Sequence, residues 1–355
     1  MLVDEGFWAG RRALVTGHTG FKGAWLALWL ESLGASVAGL SDGAPTEPSL
    51  HALLGAPAPE PVDVRDAAAV REAVSAARPS VVFHLAAQPL VRRSYEAPAE
   101  TFAVNVQGTA HVLEAVRAVD GVEAVVVVTS DKCYAPSDGD WGHRESDPLG
   151  GHDPYSASKA AAELVAGAYR ASFSLPVATA RAGNVIGGGD WGADRLLPDV
   201  MRAALGGGAV ELRNPDAVRP WQHVLNPLAG YLVLAQAVAA DPAAFAGAWN
   251  FGPAVEDALP VRALVARIGE LWGAPLRVAA QEGVHPHETP ALRLDSTRAR
   301  LRLGWRPTWD LHEALRAIVE WYRAYERGAD MRATTLAQVA AYQAASRRHE
   351  ELSAG

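Results

Sequence analysis

The chain has 355 residues, 49% of them apolar, which suffices for a sizeable core in one large or two ordinary domains and excludes disordered and fibrous classes. A charged fraction of 20% and a net charge of −8 argue against a nucleic-acid binder, and the single cysteine, Cys133, excludes a disulfide framework and a cysteine zinc site. No apolar run is long enough to span a membrane, and Asp4 and Glu5 stand where a secretory signal would be basic, so a cytoplasmic protein that handles a small molecule is expected.

Residues 12–16 (RALVT) form a short apolar run followed at once by Gly17 and an amphipathic stretch over 21–33, which predicts strand, tight turn and helix. Further strands are predicted at 36–40, 80–85, 124–130 and 176–182, nearly continuously apolar as strands covered on both faces are. Helical patterns at 66–77, 98–119 and 153–173 alternate with them. The expectation is an α/β fold, a Rossmann-type doubly wound parallel sheet, over residues 1–182. Beyond Ala182 come longer loops rich in Gly, Pro and Trp at 183–192 and 213–220. Helices are predicted between and after them at 227–240, 261–272, 311–327 and 335–350. Residues 183–355 are therefore expected to be mainly a smaller substrate-binding domain, with some chain crossing back.

The loop after the first strand, Gly17-His18-Thr19-Gly20-Phe21-Lys22-Gly23, has the form GxxGxxG. Glycines there permit the turn, close approach of backbone to a pyrophosphate and close helix–strand packing, and the helix N-terminus adds N–H donors. This predicts dinucleotide binding. Asp42, 19 residues after Gly23, is either a ribose ligand or a solvated turn residue. No arginine between Gly34 and Pro61 awaits a 2′-phosphate, which favours NAD over NADP. Asp63 and Val64, expected after another short strand, are candidates for the adenine side, with a simple turn as the alternative.

Only Lys22, Lys132 and Lys159 are lysine among the 32 basic residues. Where arginine is so favoured, the surviving lysines mark places that need a compact amine able to lose its proton. Tyr155 and Lys159 stand at i and i+4 where a helix opens, so they share a face, and an ammonium beside a phenol makes the phenolate accessible near neutrality. Thr129-Ser130-Asp131-Lys132 ends the preceding strand, on the side where open parallel sheets bind ligands. A hydroxyl, a carboxylate, an amine and a Tyr/Lys pair are thus expected at one crevice.

Through GxxGxxG, His84-Leu85-Ala86-Ala87, Asn105 and YxxxK, the chain resembles the extended short-chain dehydrogenase/reductase family over nearly its full length. Longer segments, Thr129 to Tyr134, Asp147 to Ser156, Arg181 to Trp191 and Arg219 to Val224, are similar to the branch that oxidises C4 of a nucleotide sugar and removes water across C5 and C6, with CDP-glucose as substrate. The resemblance implies NAD held by Gly17, His18, Gly20, Phe21, Lys22, Gly23, Asp63, Val64, Leu85, Ala86, Ala87, Tyr155 and Lys159. It implies that Ser130 hydrogen-bonds the sugar 4-hydroxyl, Tyr155 takes its proton, and Lys159 binds the nicotinamide ribose and lowers the tyrosine pKa. Asp131 would be the acid for the departing 6-hydroxyl. Lys132 stands where dTDP-glucose dehydratases carry glutamate, and serves either as the C5 base or as a stabiliser of the enolate. His18 and Lys22 are further departures; they touch the adenosine phosphates or serve local packing.

Asn184, Arg195, Arg219 and Asn250 are implied at nucleotide or diphosphate positions, and Gln88 and Ser94 near the hexose. His285, His287 and Glu288 lack helical metal-ligand spacing, so no metal is expected. A homodimer or homotetramer is expected, with 98–119 and 153–173 in the place of the family's dimer bundle. A nucleotide-sugar 4-epimerase needs no acid–base pair at C5 and C6, so Asp131 and Lys132 speak against it. A non-catalytic dinucleotide sensor would be expected to lack Tyr155 or Lys159, and both are present.

Overall fold

The computed structural model describes residues 2–137, 141–280 and 293–354; His285, His287 and Glu288 lie outside them. Five strands follow the expected order: β1 (Arg12–Thr16), β2 (Ser36–Leu40), β3 (Val81–His84), β4 (Ala124–Val128) and β5 (Val177–Arg181). A sixth, β6 (Ala248–Asn250), lies far along the chain and was not foreseen. All six pair in parallel, in the order β6-β5-β4-β3-β1-β2. The strand anticipated before Asp63 does not form; there Val62 N–H donates to Ser41 O at 2.8 Å, with no ladder beyond it.

Successive side chains of a strand point to opposite faces, and here both faces are covered. Val15, Phe83, Val126 and Ala178 pack into one layer with Trp25 and Trp29 of α1 (Phe21–Ser32). Leu14, Val82, Val125 and Val177 pack into the other with Val70 and Val74 of α2 (Ala67–Ala77) and Val112 and Val116 of α3 (Gly108–Arg117). The uninterrupted apolar strands arise from this two-sided burial. The anticipated single helix over 98–119 carries a π-helical turn, Ala103–Gln107, whose Asn105 is 2% exposed. Its amide donates to Ser158 Oγ at 2.8 Å and Gln88 O at 3.1 Å and accepts from Gln88 N–H at 2.8 Å. The widened turn directs this one side chain into the sheet end.

Helix α4 (Pro154–Phe173) starts as the sequence predicts: Asp153 accepts from Ser156 N–H at 2.9 Å, and Pro154 opens the first turn. The later helices are α5 (Leu196–Gly206), α6 (Leu225–Ala240), α7 (Val261–Trp272), α8 (Leu311–Glu326) and α9 (Met331–Ala354). Among the described residues, no helix is long and apolar enough to cross a membrane. The strand order reverses between β1 and β3, so loops leaving their C-terminal ends diverge and open a crevice.

Candidate active site

At the reversal, Thr16 Oγ1 accepts from Leu85 N–H and Ala86 N–H, both at 3.1 Å, and lies 2.7 Å from His84 Nδ1. These bonds hold the two loops against each other. Gly17 has φ +70°, and a Cβ there would lie 2.8 Å from Ala86 N. A Cβ on Gly23 would lie 2.1 Å from Gly17 O, and Gly20 heads α1 without a side-chain cap. A cradle that excludes side chains and offers a helix's first N–H groups fits the pyrophosphate of a dinucleotide. Val64 fills the space a Cβ on Gly108 would need, and its carbonyl accepts from His111 Nδ1 at 2.9 Å. Asp63 is gripped by Arg65 at 2.5 Å, and that hydrogen bond holds its carboxyl below the usual range.

His18 and Lys22 occupy different surroundings. The His18 ring lies where a Cβ on Gly39 would fall, 2.3 Å from its Cδ2, with His51 edge-on at 5.1 Å. Burial, then His51, pushes its pKa down, and its Nδ1 has no partner among the described residues. The Lys22 amine is pushed down to about 8 by burial first, then by Arg195 and Lys159, with Asp131 and Asp190 opposing. Lys22 therefore belongs electrostatically to the reactive end of the crevice.

That end is built from the exit of β4 and the first turns of α4. Ser130 caps a short turn over Asp131–Cys133, accepting from Lys132 N–H at 3.2 Å and donating to Asp131 Oδ1 at 2.9 Å. Tyr155, Ser130 and Asp131 are all buried, and Lys132 is half-buried. The Lys132 amine makes no hydrogen bond or ion pair with the described residues. Burial drives the Tyr155 phenol up to about 12, against the lowering effects of a hydrogen bond with Ser130 and of Arg195. The cation expected to lower it, Lys159, instead donates to Val128 O at 3.4 Å.

Burial also pushes the Lys159 amine down to about 8, from 10.5. The unfolded chain keeps this proton up to the ordinary value, so between those two pH values it binds more protons than the folded one and stability rises with pH. Lys159→Gln lacks that gain. Its melting temperature relative to wild type should therefore fall between about pH 8 and about pH 10; a difference that does not move with pH would mean that Lys159 carries no depressed pKa.

Behind the reactive end lies a network that sequence reasoning missed. Glu163, one turn after Lys159, accepts a forked pair from Arg181 at 2.9 and 2.8 Å, with both side chains 3% exposed. It also accepts from Thr129 at 2.5 Å and Thr179 at 2.7 Å. Arg181 continues to Tyr134 Oη at 2.8 Å, and Tyr134 donates to Asn250 Oδ1 at 2.7 Å. A charge inside a predicted apolar strand was the available signal, since a buried arginine needs a partner.

The structure turns two expected substrate contacts inward. Ser94 is wholly buried and donates to Val91 O at 2.6 Å. Asn250 is wholly buried, and besides Tyr134 it serves His143 O at 2.8 Å and Asp295 O at 3.1 Å. The Gln88 amide is likewise engaged, by Leu90 and Thr101. Asn184, at φ +48°, stands half-buried on the loop leaving β5, and Arg219 stands half-buried in a short strand, Val218–Pro220, paired antiparallel with Ala258–Pro260. Arg195 pairs with buried Asp190 at 3.1 Å.

A sequence profile of the NAD dependent epimerase/dehydratase family matches residues 13–252. A CDP-glucose 4,6-dehydratase of Salmonella typhimurium is 47% identical over 98% of this chain and 100% of its own. A UDP-glucose 4-epimerase of Mycolicibacterium smegmatis is 32% identical over 88% of this chain and 98% of its own. Among solved structures, the dTDP-glucose 4,6-dehydratase DesIV of Streptomyces venezuelae, with NAD bound, superposes with a TM-score of 0.74 at 28% identity, covering 90% of this chain and 98% of that one.

Proposed function

The chain belongs to the NAD dependent epimerase/dehydratase family, and from that premise we propose that it converts CDP-glucose to CDP-4-keto-6-deoxy-D-glucose by removing water across C5 and C6. The observation that carries this reading is the meeting of Ser130, Asp131, Lys132 and Tyr155 at one strand end, together with the 47% identity to a CDP-glucose 4,6-dehydratase. NAD, whose pyrophosphate the Gly17–Gly23 cradle suits, supplies when bound the hydride acceptor at C4 and the donor at C6, so no external redox partner is consumed.

The protein's own groups move the protons. Tyr155 takes the 4-hydroxyl proton while Ser130 orients that hydroxyl; burial raises the phenol pKa, and a cation beside the ring oxygen brings it back down so that the phenolate can form. A ketone at C4 acidifies C5–H. Lys132, whose amine has no partner among the described residues, takes the C5 proton, and Asp131 protonates the departing 6-hydroxyl. Arg195 and Arg219 offer guanidinium forks for the diphosphate, and Asn184 lies on the same loop side. A 4-epimerase would need only the Ser/Tyr/Lys set and leaves Asp131 and Lys132 unused.

We also propose a homo-oligomer. The half-exposed face of Ala99, Phe102, Ala103, Val106, Ala161 and Val165 is apolar enough to seat a second copy. The lone cysteine, buried and unpaired, suits a cytoplasmic setting.

CDP-glucose deuterated at C4 should yield product carrying that deuterium at C6, with one solvent proton at C5, as read by mass spectrometry and proton NMR. Label found back at C4 would establish an epimerase instead; label lost to free cofactor, a simple dehydrogenase. Parallel reactions with dTDP- and GDP-glucose test the choice of base.

A further inference from the structure

Asp131 reaches the crevice by lying against the backbone of a different strand exit. A Cβ built on Gly183 would stand 1.7 Å from Asp131 Oδ2, 2.1 Å from Cγ and 2.7 Å from Oδ1, and these are its three nearest neighbours. The Gly183 backbone has no positive φ, so an alanine there would carry no backbone strain. The atoms that such a side chain would meet first all belong to the Asp131 carboxylate. Other glycines differ in kind: the spaces beside Gly188 and Gly230 are filled by the rings of Trp321 and Phe251, which is packing.

The Gly183 segment cannot retreat cheaply. Two residues before it, Arg181 is forked onto Glu163, and Arg181 O accepts from Phe251 N–H at 2.8 Å. Gln222 donates to Gly183 O at 3.2 Å and to Phe251 O at 2.8 Å, and its own N–H reaches Asn184 O at 3.2 Å. The carboxylate is the more mobile side, held by Ser130 Oγ at 2.9 Å. We infer that Gly183 is a positioning residue for Asp131: its missing side chain is the socket that seats the carboxylate.

The inference rests on the reading of Asp131 as the acid that protonates the leaving hydroxyl. Ordinary contact begins at 3.4 Å, so alanine at 183 displaces the carboxylate by well over one ångström. A misplacement of about 1 Å costs a reacting group about 100-fold. Gly183→Ala should therefore lower kcat by about 100-fold with KM for CDP-glucose nearly unchanged. It should still oxidise C4, so bound NADH accumulates in a single turnover while dehydrated product lags.

The test compares Gly183→Ala, Asp131→Ala and the double variant for melting temperature and for the division between bound NADH and product. With the carboxylate gone, alanine at 183 has room, so the double variant should match Asp131→Ala in both readouts. If Gly183→Ala folds poorly, the double variant should regain the lost melting temperature. Near-normal turnover by Gly183→Ala, loss of C4 oxidation along with elimination, or a double variant worse than Asp131→Ala would each overturn the inference. Unimpaired elimination by Asp131→Ala would instead overturn the acid assignment, and the melting temperatures would still report whether the carboxylate fills the socket.

Discussion

Tyr155→Phe should reduce turnover by about 100- to 10,000-fold, the range spanned by a positioned proton-transfer group, while NAD occupancy stays close to that of wild type. The substitution removes one oxygen. It leaves the ring in its buried place at the start of α4 and leaves the Gly17–Gly23 cradle untouched. Burial raises the phenol to about 12, with Ser130 and Arg195 working against it, so the hydroxyl is tuned by its surroundings. Ser130 would still hold the 4-hydroxyl but would have nowhere to pass its proton. Turnover measured from 4-ketone product, beside cofactor content of the purified protein, checks both halves of the expectation. A variant with near-normal turnover would remove Tyr155 from its role, and one that loses NAD would make that role structural.

Arg181→Met should destabilise the folded chain by about 3–5 kcal/mol, the usual consequence of leaving one partner of a buried ion pair alone. Glu163 would keep the hydroxyls of Thr129 and Thr179 but lose the guanidinium paired with it, at 3% exposure. Tyr134 Oη would lose the Arg181 donor in the same step, while keeping its own donation to Asn250. Adding Glu163→Gln removes the stranded charge, so the double variant should recover more than half of the loss. Urea unfolding of the three variants checks this. If Arg181→Met costs no more than a surface change, the pair is not what locks β4, β5 and α4 together.

The local parts of this protein were legible in its sequence. Strand, glycine loop and helix follow one another within the first 33 residues, and two-sided burial made β1, β3, β4 and β5 predominantly apolar. The Tyr155/Lys159 spacing and the polar exit of β4 likewise depend only on neighbours along the chain, because i,i+4 geometry and strand direction are local properties. What the sequence left open depends on which strand ends lie side by side. β6 has three residues and no periodicity of its own; its place beside β5 turns Asn250 inward to Tyr134. Lys22 reads from the sequence as a cofactor-loop residue, and the closing of α1 onto the sheet also brings its amine into the field of Arg195, Lys159 and Asp131. Glu163 finds Arg181 across 18 residues, and Gly183 finds Asp131 across two parallel strands. No pattern in the chain encodes these meetings, because they come from the order of strands in the sheet, and long-range packing alone selects that order.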